Sequence, residues 1–538
     1  MASESDNSLS DQADRPRHYG LLLMLISVVG LGLRAVFAAQ RSFGGDEAGS
    51  IDALRMSYHD LLTRFGGWQT MNFYLAGLKW LAGHVGGNPW ILVLPSLIAG
   101  VALIPLSAGL ARRMVSGRTA LVAAWLVAIN PFLITFSVTI RSYAILAALT
   151  TGAVVVWLAW CDRPRWSVGW LCALLLALAL VAHLNGGYCI GVLGILTVAR
   201  LWRWHGAMPL REVARRAATL GVPTVLLVSA VGAAYYPQWE TIREFRGIWS
   251  DVAPTWVDYI PTVYGMFMGQ GYVVPLTLAV IGYAVWRGIR RGLPTQLLLA
   301  FLILQVLLMS LAGVSHTDRA FARFDIALLP LLLILLADGL VALPRRCMTW
   351  GAVAVVSICF VQGFVRLNVG KAEVPWRSVV ADIAGQQNID AIFAVDNGGA
   401  ATSVNANAPG MVRFINAQGL VAADAPAGRG LRVLVIDGEG RLNSTRGFRA
   451  FGKIRVALYE AAAGREVARL ILDDLDASLR RKAFGQYVGY FQAGCELAEA
   501  LELKDAYATW RELYWKSMVR SPGVRMGPSS RYDWPTGR

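Results

Sequence analysis

The residues able to do chemistry gather in a few short stretches, each beside an apolar run. RSFGGDEAGSIDALR, starting at Arg41, sets two glycines before the adjacent acids Asp46 and Glu47. Adjacent carboxylates at a membrane mouth can bind a divalent metal, deprotonate an acceptor, or stay solvated. NPFLITFSVTIRSYAIL brings Arg141 and Tyr143 to a water edge. That pattern also suits an interfacial arginine beside an aromatic-belt tyrosine. AHLNGGY puts His183 and Asn185 at a turn, where a lone histidine can serve structure or chemistry. VSHTDRAFARFDIALLP carries His316, Asp318, Arg319 and Arg323. Arginine offers a planar fork of donors, so phosphate is the natural partner for such a pair. Gln69 and Asn72 add uncharged amides able to donate and accept hydrogen bonds.

The elements that must position these groups are membrane spans. Of 538 residues, 56% are hydrophobic and 16% charged, against roughly 25% charged in a soluble protein. Mean hydropathy is +0.48. A soluble enzyme, a disordered chain and a collagen-like repeat are excluded. A span needs about 20 apolar residues. Eleven stretches qualify: 19–40, 89–111, 119–136, 142–160, 166–182, 186–201, 217–236, 266–286, 294–314, 326–343 and 347–366. Segment 71–86 is apolar but short and carries Lys79, which predicts an interfacial helix lying at the membrane surface.

Charge gives the orientation. The formal net charge is +15. With the N-terminus inside, the loops 112–118, 161–165, 200–216, 287–291 and 344–346 hold fifteen arginines against two acids, Asp162 and Glu212. Cytoplasmic loops carry such an excess, so the basicity reads as topology and no nucleic-acid partner is implied. Eleven spans leave the C-terminus outside. The organisation is then a disordered cytoplasmic tail over 1–18, a membrane module over 19–366 whose first outer loop is 41–88, an extracytoplasmic α/β domain over 367–463, and a helical segment and tail over 464–538. In the α/β domain a helix at 376–386 precedes strands at 391–395, 411–415, 431–436 and 454–459. The six cysteines form no disulfide framework, because only Cys495 lies well outside the apolar region. No cleavable signal peptide is recognisable. The spans carry almost no ionisable group at mid-membrane, whereas ion-coupled transporters place such groups there.

Taken in order, these segments resemble the GT-C superfamily of membrane glycosyltransferases, in particular the protein O-mannosyltransferase and aminoarabinose transferase group. The resemblance runs over residues 20–380. It rests on Asp46-Glu47 in the first outer loop, FYLAGLKWLAG followed by Leu94-Pro95-Ser96, Asn130-Pro131 through Arg141-Ser142-Tyr143, His183, Arg323-Phe324 with Leu329-Pro330, and Pro375-Trp376-Arg377. The chain departs from the family where Gln69, Thr70 and Met71 occupy the usual His-Pro-Pro stretch. Thr139 stands where an acid is common, and Val93 where an arginine precedes Leu-Pro-Ser.

The resemblance implies a polyprenyl-phosphate-linked sugar donor and a glycan, lipid or protein acceptor. The sugar, a hexose or a pentose, moves to a hydroxyl with inversion on the outer face of a bacterial inner membrane. It also implies that Asp46 is the base, Glu47 orients it, and Arg141, Arg319 and Arg323 hold the donor phosphate. Tyr143, His183, Gln69 and Asn72 line the substrate. No cofactor is implied, and a divalent metal on the acidic pair stays open. A flippase of lipid-linked sugars and a non-catalytic assembly scaffold are the alternatives.

Overall fold

A computed structural model describes residues 18–40, 46–63, 71–86, 88–238, 267, 274–291, 300–303, 322–365, 376–386, 389–395, 404, 415–427, 429–437, 449–451, 454–479 and 488–511. The chain forms two compact units, one of Met1–Gln40 with Met56–Gly370, the other of Arg41–Arg55 with Lys371–Arg538.

The first unit is helical. Every apolar stretch named above carries a helix; of 294–314 only residues 300–303 are described, and they are helical. Among the described residues five helices are long and apolar enough to cross a bilayer, or six if one bent pair is a single span. Helix Tyr143–Asp162 is the centre of the bundle, with 72% of its apolar stretch buried, against 17% for Tyr19–Ala39. The latter presents Leu21, Met24, Leu25 and Val28 outward, a surface that only an apolar solvent suits. The segment around 71–86 forms the helix Asn72–Val85, which ends at Gly86 with φ 113°. At 14 residues and about 1.5 Å each, it is too short to cross the bilayer.

The expected span 119–136 is two helices, Gly117–Ile129 and Pro131–Ser137, meeting at 60°. Pro131 has no N–H, so it cannot close the helical bond to Val127 and breaks the ladder. Asn130 caps the second helix by accepting from Leu133 N at 3.0 Å, and its Nδ2 donates to Phe267 O at 2.8 Å. The carbonyls orphaned by the break are taken up by Arg34, which is fully buried. Its Nη1 donates to Ala128 O at 3.0 Å and Gly30 O at 2.9 Å, its Nη2 to Val127 O at 3.4 Å, and its Nε to Ser137 Oγ at 3.1 Å. A charge inside a span thus holds a broken helix in shape.

In the second unit four strands order as β1-β2-β4-β3, with β1 Ala391–Ala394, β2 Leu431–Asp437, β3 Arg449–Phe451 and β4 Ile454–Ala461. β1 and β2 are parallel, and β4 runs antiparallel to β2 and β3. Side chains alternate across the sheet. Leu434 and Ile436 pack with Val379 and Ile383 of helix Trp376–Gly385 on one face. Val433 and Val435 pack with Val467 and Ile471 of helix Gly464–Leu479 on the other. Of the expected strand 411–415 only Ile415 is described; its N–H donates to Ile392 O at 3.1 Å. β3 was not expected, since three residues carry too little periodicity to register.

Candidate active site

The spans of the first unit have a basic end and an opposite end, and Arg141, Tyr143 and His183 lie at the opposite one. Arg141 lies one residue before the N-cap Ser142 of helix Tyr143–Asp162, whose other end carries Asp162. His183 closes helix Trp166–Ala182, its N–H donating to Ala179 O. Tyr235, at the end of helix Leu210–Tyr235, donates its hydroxyl to Leu180 O at 3.3 Å and meets Phe73 edge-on at 4.6 Å. Phe73 belongs to the short helix Asn72–Val85, so that helix begins among these ends.

Arg141 is buried, with 6% of its surface exposed. The Leu-Pro-Ser stretch explains how it is held. Ser96 Oγ donates to Arg141 O at 2.7 Å and lies 3.4 Å from Tyr74 Oη. A hydroxyl from one span and a phenol from the short helix therefore fix the backbone that presents the guanidinium. Met71 takes up a position beside it. Its Sδ is 4.0 Å from Arg141 Nη1 and 3.7 Å from Ser142 Oγ. A thioether is a weak acceptor without charge. The family resemblance had marked this stretch, at Gln69, Thr70 and Met71, as a departure.

Tyr143 and His183 complete the cluster, both buried, with ring centroids 5.4 Å apart. Phe136 meets Tyr143 edge-on at 5.1 Å. Asn185 N–H donates to His183 Nδ1 at 3.1 Å. A backbone N–H can only donate, so Nδ1 is an acceptor and the neutral ring carries its proton on Nε2. The turn that sets this geometry needs Gly186: a Cβ there would meet Ala179 C at 2.6 Å. Asn72 is also buried and opens the short helix.

Asp46 and Glu47 open helix Asp46–Ala53 in the second unit, and Glu47 is buried. Acids at a helix N-terminus complement its dipole. The Asp46 side chain lies outside the described residues, as do Gln69, His316, Asp318 and Arg319. Arg323 belongs to the 3-10 helix Ala322–Leu328, and its side chain is likewise outside them. Among the described residues no three His, Cys, Asp or Glu side chains converge as a metal site.

Residues 81–235 match the family model described as Dolichyl-phosphate-mannose-protein mannosyltransferase. That stretch contains Ser96, Arg141, Tyr143 and His183. No curated protein matches the sequence. The structure of ArnT from Cupriavidus metallidurans bound to undecaprenyl phosphate is similar with a TM-score of 0.54 at 14% identity, over 81% of this chain and 97% of that one. This is a GT-C fold. The GT-C likeness extends to the apo form of the same ArnT, with a TM-score of 0.51. The archaeal oligosaccharyltransferase AglB from Archaeoglobus fulgidus, in complex with an inhibitory peptide and a dolichol-phosphate, gives a TM-score of 0.49 at 11% identity, over 83% of this chain and 74% of that one.

Two residues of the GT-C unit escaped the sequence reading. Arg34 lies within the first apolar run, and the Val127 and Ala128 carbonyls it serves are 93 and 94 residues away. Ser96 was noted as part of a motif without a role. A serine beside a proline inside an apolar run was the available signal.

Proposed function

We propose that the protein is a glycosyltransferase that moves a sugar from a polyprenyl-phosphate donor to an acceptor hydroxyl. The observation that carries this reading is Arg141: a buried guanidinium at the non-basic end of the central span, within a GT-C fold. The similar ArnT holds undecaprenyl phosphate, and we carry that ligand class over to this chain.

In the reaction the acceptor oxygen bonds to the anomeric carbon as the bond from that carbon to the phosphate oxygen breaks. The electron pair leaves on the phosphate, giving polyprenyl phosphate. Its growing charge calls for fixed positive charge more than for a protonated acid, and such stabilisation is commonly the largest catalytic contribution. Arg141 has this role, joined by Arg319 and Arg323. Asp46 takes the acceptor proton and Glu47 orients it. Tyr143, His183, Gln69 and Asn72 contact the sugar. One base and one in-line attack invert the anomeric centre. The basic loops face the cytoplasm of a bacterial inner membrane, with residues 367–538 outside. A divalent metal on Asp46 and Glu47 would alter this scheme and remains an element to test by chelation.

The test incubates purified protein with radiolabelled polyprenyl-phosphate hexoses and pentoses and with extracted envelope glycans, lipids or proteins. Wild type is expected to transfer one of these sugars. Asp46→Asn is expected to insert and fold normally and to transfer none. Normal turnover by Asp46→Asn removes the base from the scheme.

A further inference from the structure

At the basic end of the first unit the arginines are not merely scattered along loops. Trp204, buried near the end of helix Gly186–His205, has two guanidinium groups at its ring: Arg200 and Arg216, each 5.3 Å from the centroid. Arg200 and Trp204 are four residues apart and so share one face of their helix. Arg216 comes from the neighbouring helix Leu210–Tyr235. Trp204 is itself held in place. Its ring centroid is 5.5 Å from that of Trp160, and Trp160 Nε1 donates to Thr219 Oγ1 at 2.8 Å. Aromatic packing between three helices therefore fixes the site.

The acids nearby are already engaged. Asp162 pairs with Arg113. Glu212 accepts from Arg215 at 2.8 and 2.9 Å and from Arg216 at 2.7 Å. Neither reaches Arg200, whose Nε is buried with no hydrogen-bond partner among the described residues. A buried donor left unmade is costly. Four guanidiniums thus face two carboxylates, and one of the four has an unused, inward donor. Exposed Trp202, next along the same helix, is the sort of side chain that sits at a membrane interface.

We propose that Arg200, with Arg216, binds the phosphate of an anionic phospholipid headgroup at the basic face of the membrane. This site is separate from the donor-phosphate role given to Arg141. The two lie at opposite ends of the spans, and helix Tyr143–Asp162 has 20 residues, about 30 Å at 1.5 Å per residue. Guanidinium pairs suit phosphate because each offers parallel donors. The occupant is a lipid because the site lies at the end of membrane-spanning helices.

The test uses the full-length protein, delipidated in detergent and titrated with micelles containing phosphatidylglycerol or phosphatidylcholine. Bound lipid is counted by native mass spectrometry. Wild type is expected to retain phosphatidylglycerol about tenfold better than phosphatidylcholine, and Arg200→Gln to lose about that factor. Arg203→Gln, an exposed arginine of the same helix, is expected to bind as wild type does. Millimolar inorganic phosphate should leave the lipid in place. Equal retention of the two lipids by wild type overturns the proposal without reference to any variant. So does an equal loss in Arg203→Gln, or displacement by inorganic phosphate, which would make the ligand a soluble anion.

Discussion

Replacing Gly100 by alanine should damage the membrane unit far more than one added methyl group would suggest. A Cβ at position 100 would sit 1.9 Å from Ser137 Oγ, 2.4 Å from Ser137 Cβ and 3.3 Å from Arg34 Nε. A rotation of Ser137 could move its oxygen but not its Cβ, so helix Pro131–Ser137 must shift. The shift strains the bond from Arg34 Nε to Ser137 Oγ. Overpacking a tight site costs about 1–3 kcal/mol, and losing a hydrogen bond to a charged group costs about 1.5–3 kcal/mol. A loss of roughly 3–5 kcal/mol is expected. At about 2 °C per kcal/mol for a large unit, melting of the detergent-solubilised protein should fall by roughly 6–10 °C. Gly109→Ala is the control. It lies in the same helix, Pro89–Met114, with nothing within 4 Å of the added Cβ. There alanine should be neutral or stabilise by up to about 1 kcal/mol, because it favours helix. If both variants melt alike, the Arg34–Ser137 brace does not hold the broken span, and the account of that span fails.

Ser96→Ala removes one hydroxyl from the Arg141 carbonyl, a bond worth about 1 kcal/mol. Transfer should slow about fivefold while the melting temperature falls by only about 2 °C; an unchanged rate would mean Ser96 does not position Arg141. Labelling with a membrane-impermeant maleimide tests the orientation through Cys347, which is exposed beside Arg345 and Arg346. It should react in inside-out vesicles and not in intact cells, and labelling of intact cells would invert the topology. Cys495 should stay unlabelled in both until the protein is denatured. Burial, with help from Glu496 and Glu499, pushes its thiol up to about 12, so the reactive thiolate is scarce at neutral pH. Labelling of Cys495 in the folded protein would contradict its burial.

The parts of this fold that the sequence announced are those governed by near neighbours in the chain. Apolar runs long enough to span, the amphipathic segment after Gly464 and the alternation in 431–437 all arise within a dozen residues. The same holds for the Arg141–Tyr143 pair, which sits at the boundary of an apolar run. What was hidden depends on partners far along the chain. The span expected over 119–136 reads as continuous in the sequence, and its 60° break at Asn130-Pro131 is braced by Arg34, which reaches Val127, Ala128 and Ser137. Met71 read as a lost family residue, yet its sulfur lies against Arg141 and Ser142. His183 gave no tautomer until Asn185 N–H was found on Nδ1. Side-chain hydrogen bonds across helices leave no periodic trace, and a single serine or methionine in an apolar run has many equivalent positions.

The claim that most needs a direct measurement is that Arg141 stabilises the departing lipid phosphate. Steady-state transfer by Arg141→Gln, with the polyprenyl-phosphate sugar accepted by wild type, supplies it. Removing a donor aimed at developing charge costs about 10²–10³ in kcat, so a fall of that size is expected, with a much smaller change in donor KM. A folded Arg141→Gln enzyme that turns over at the wild-type rate would contradict the account.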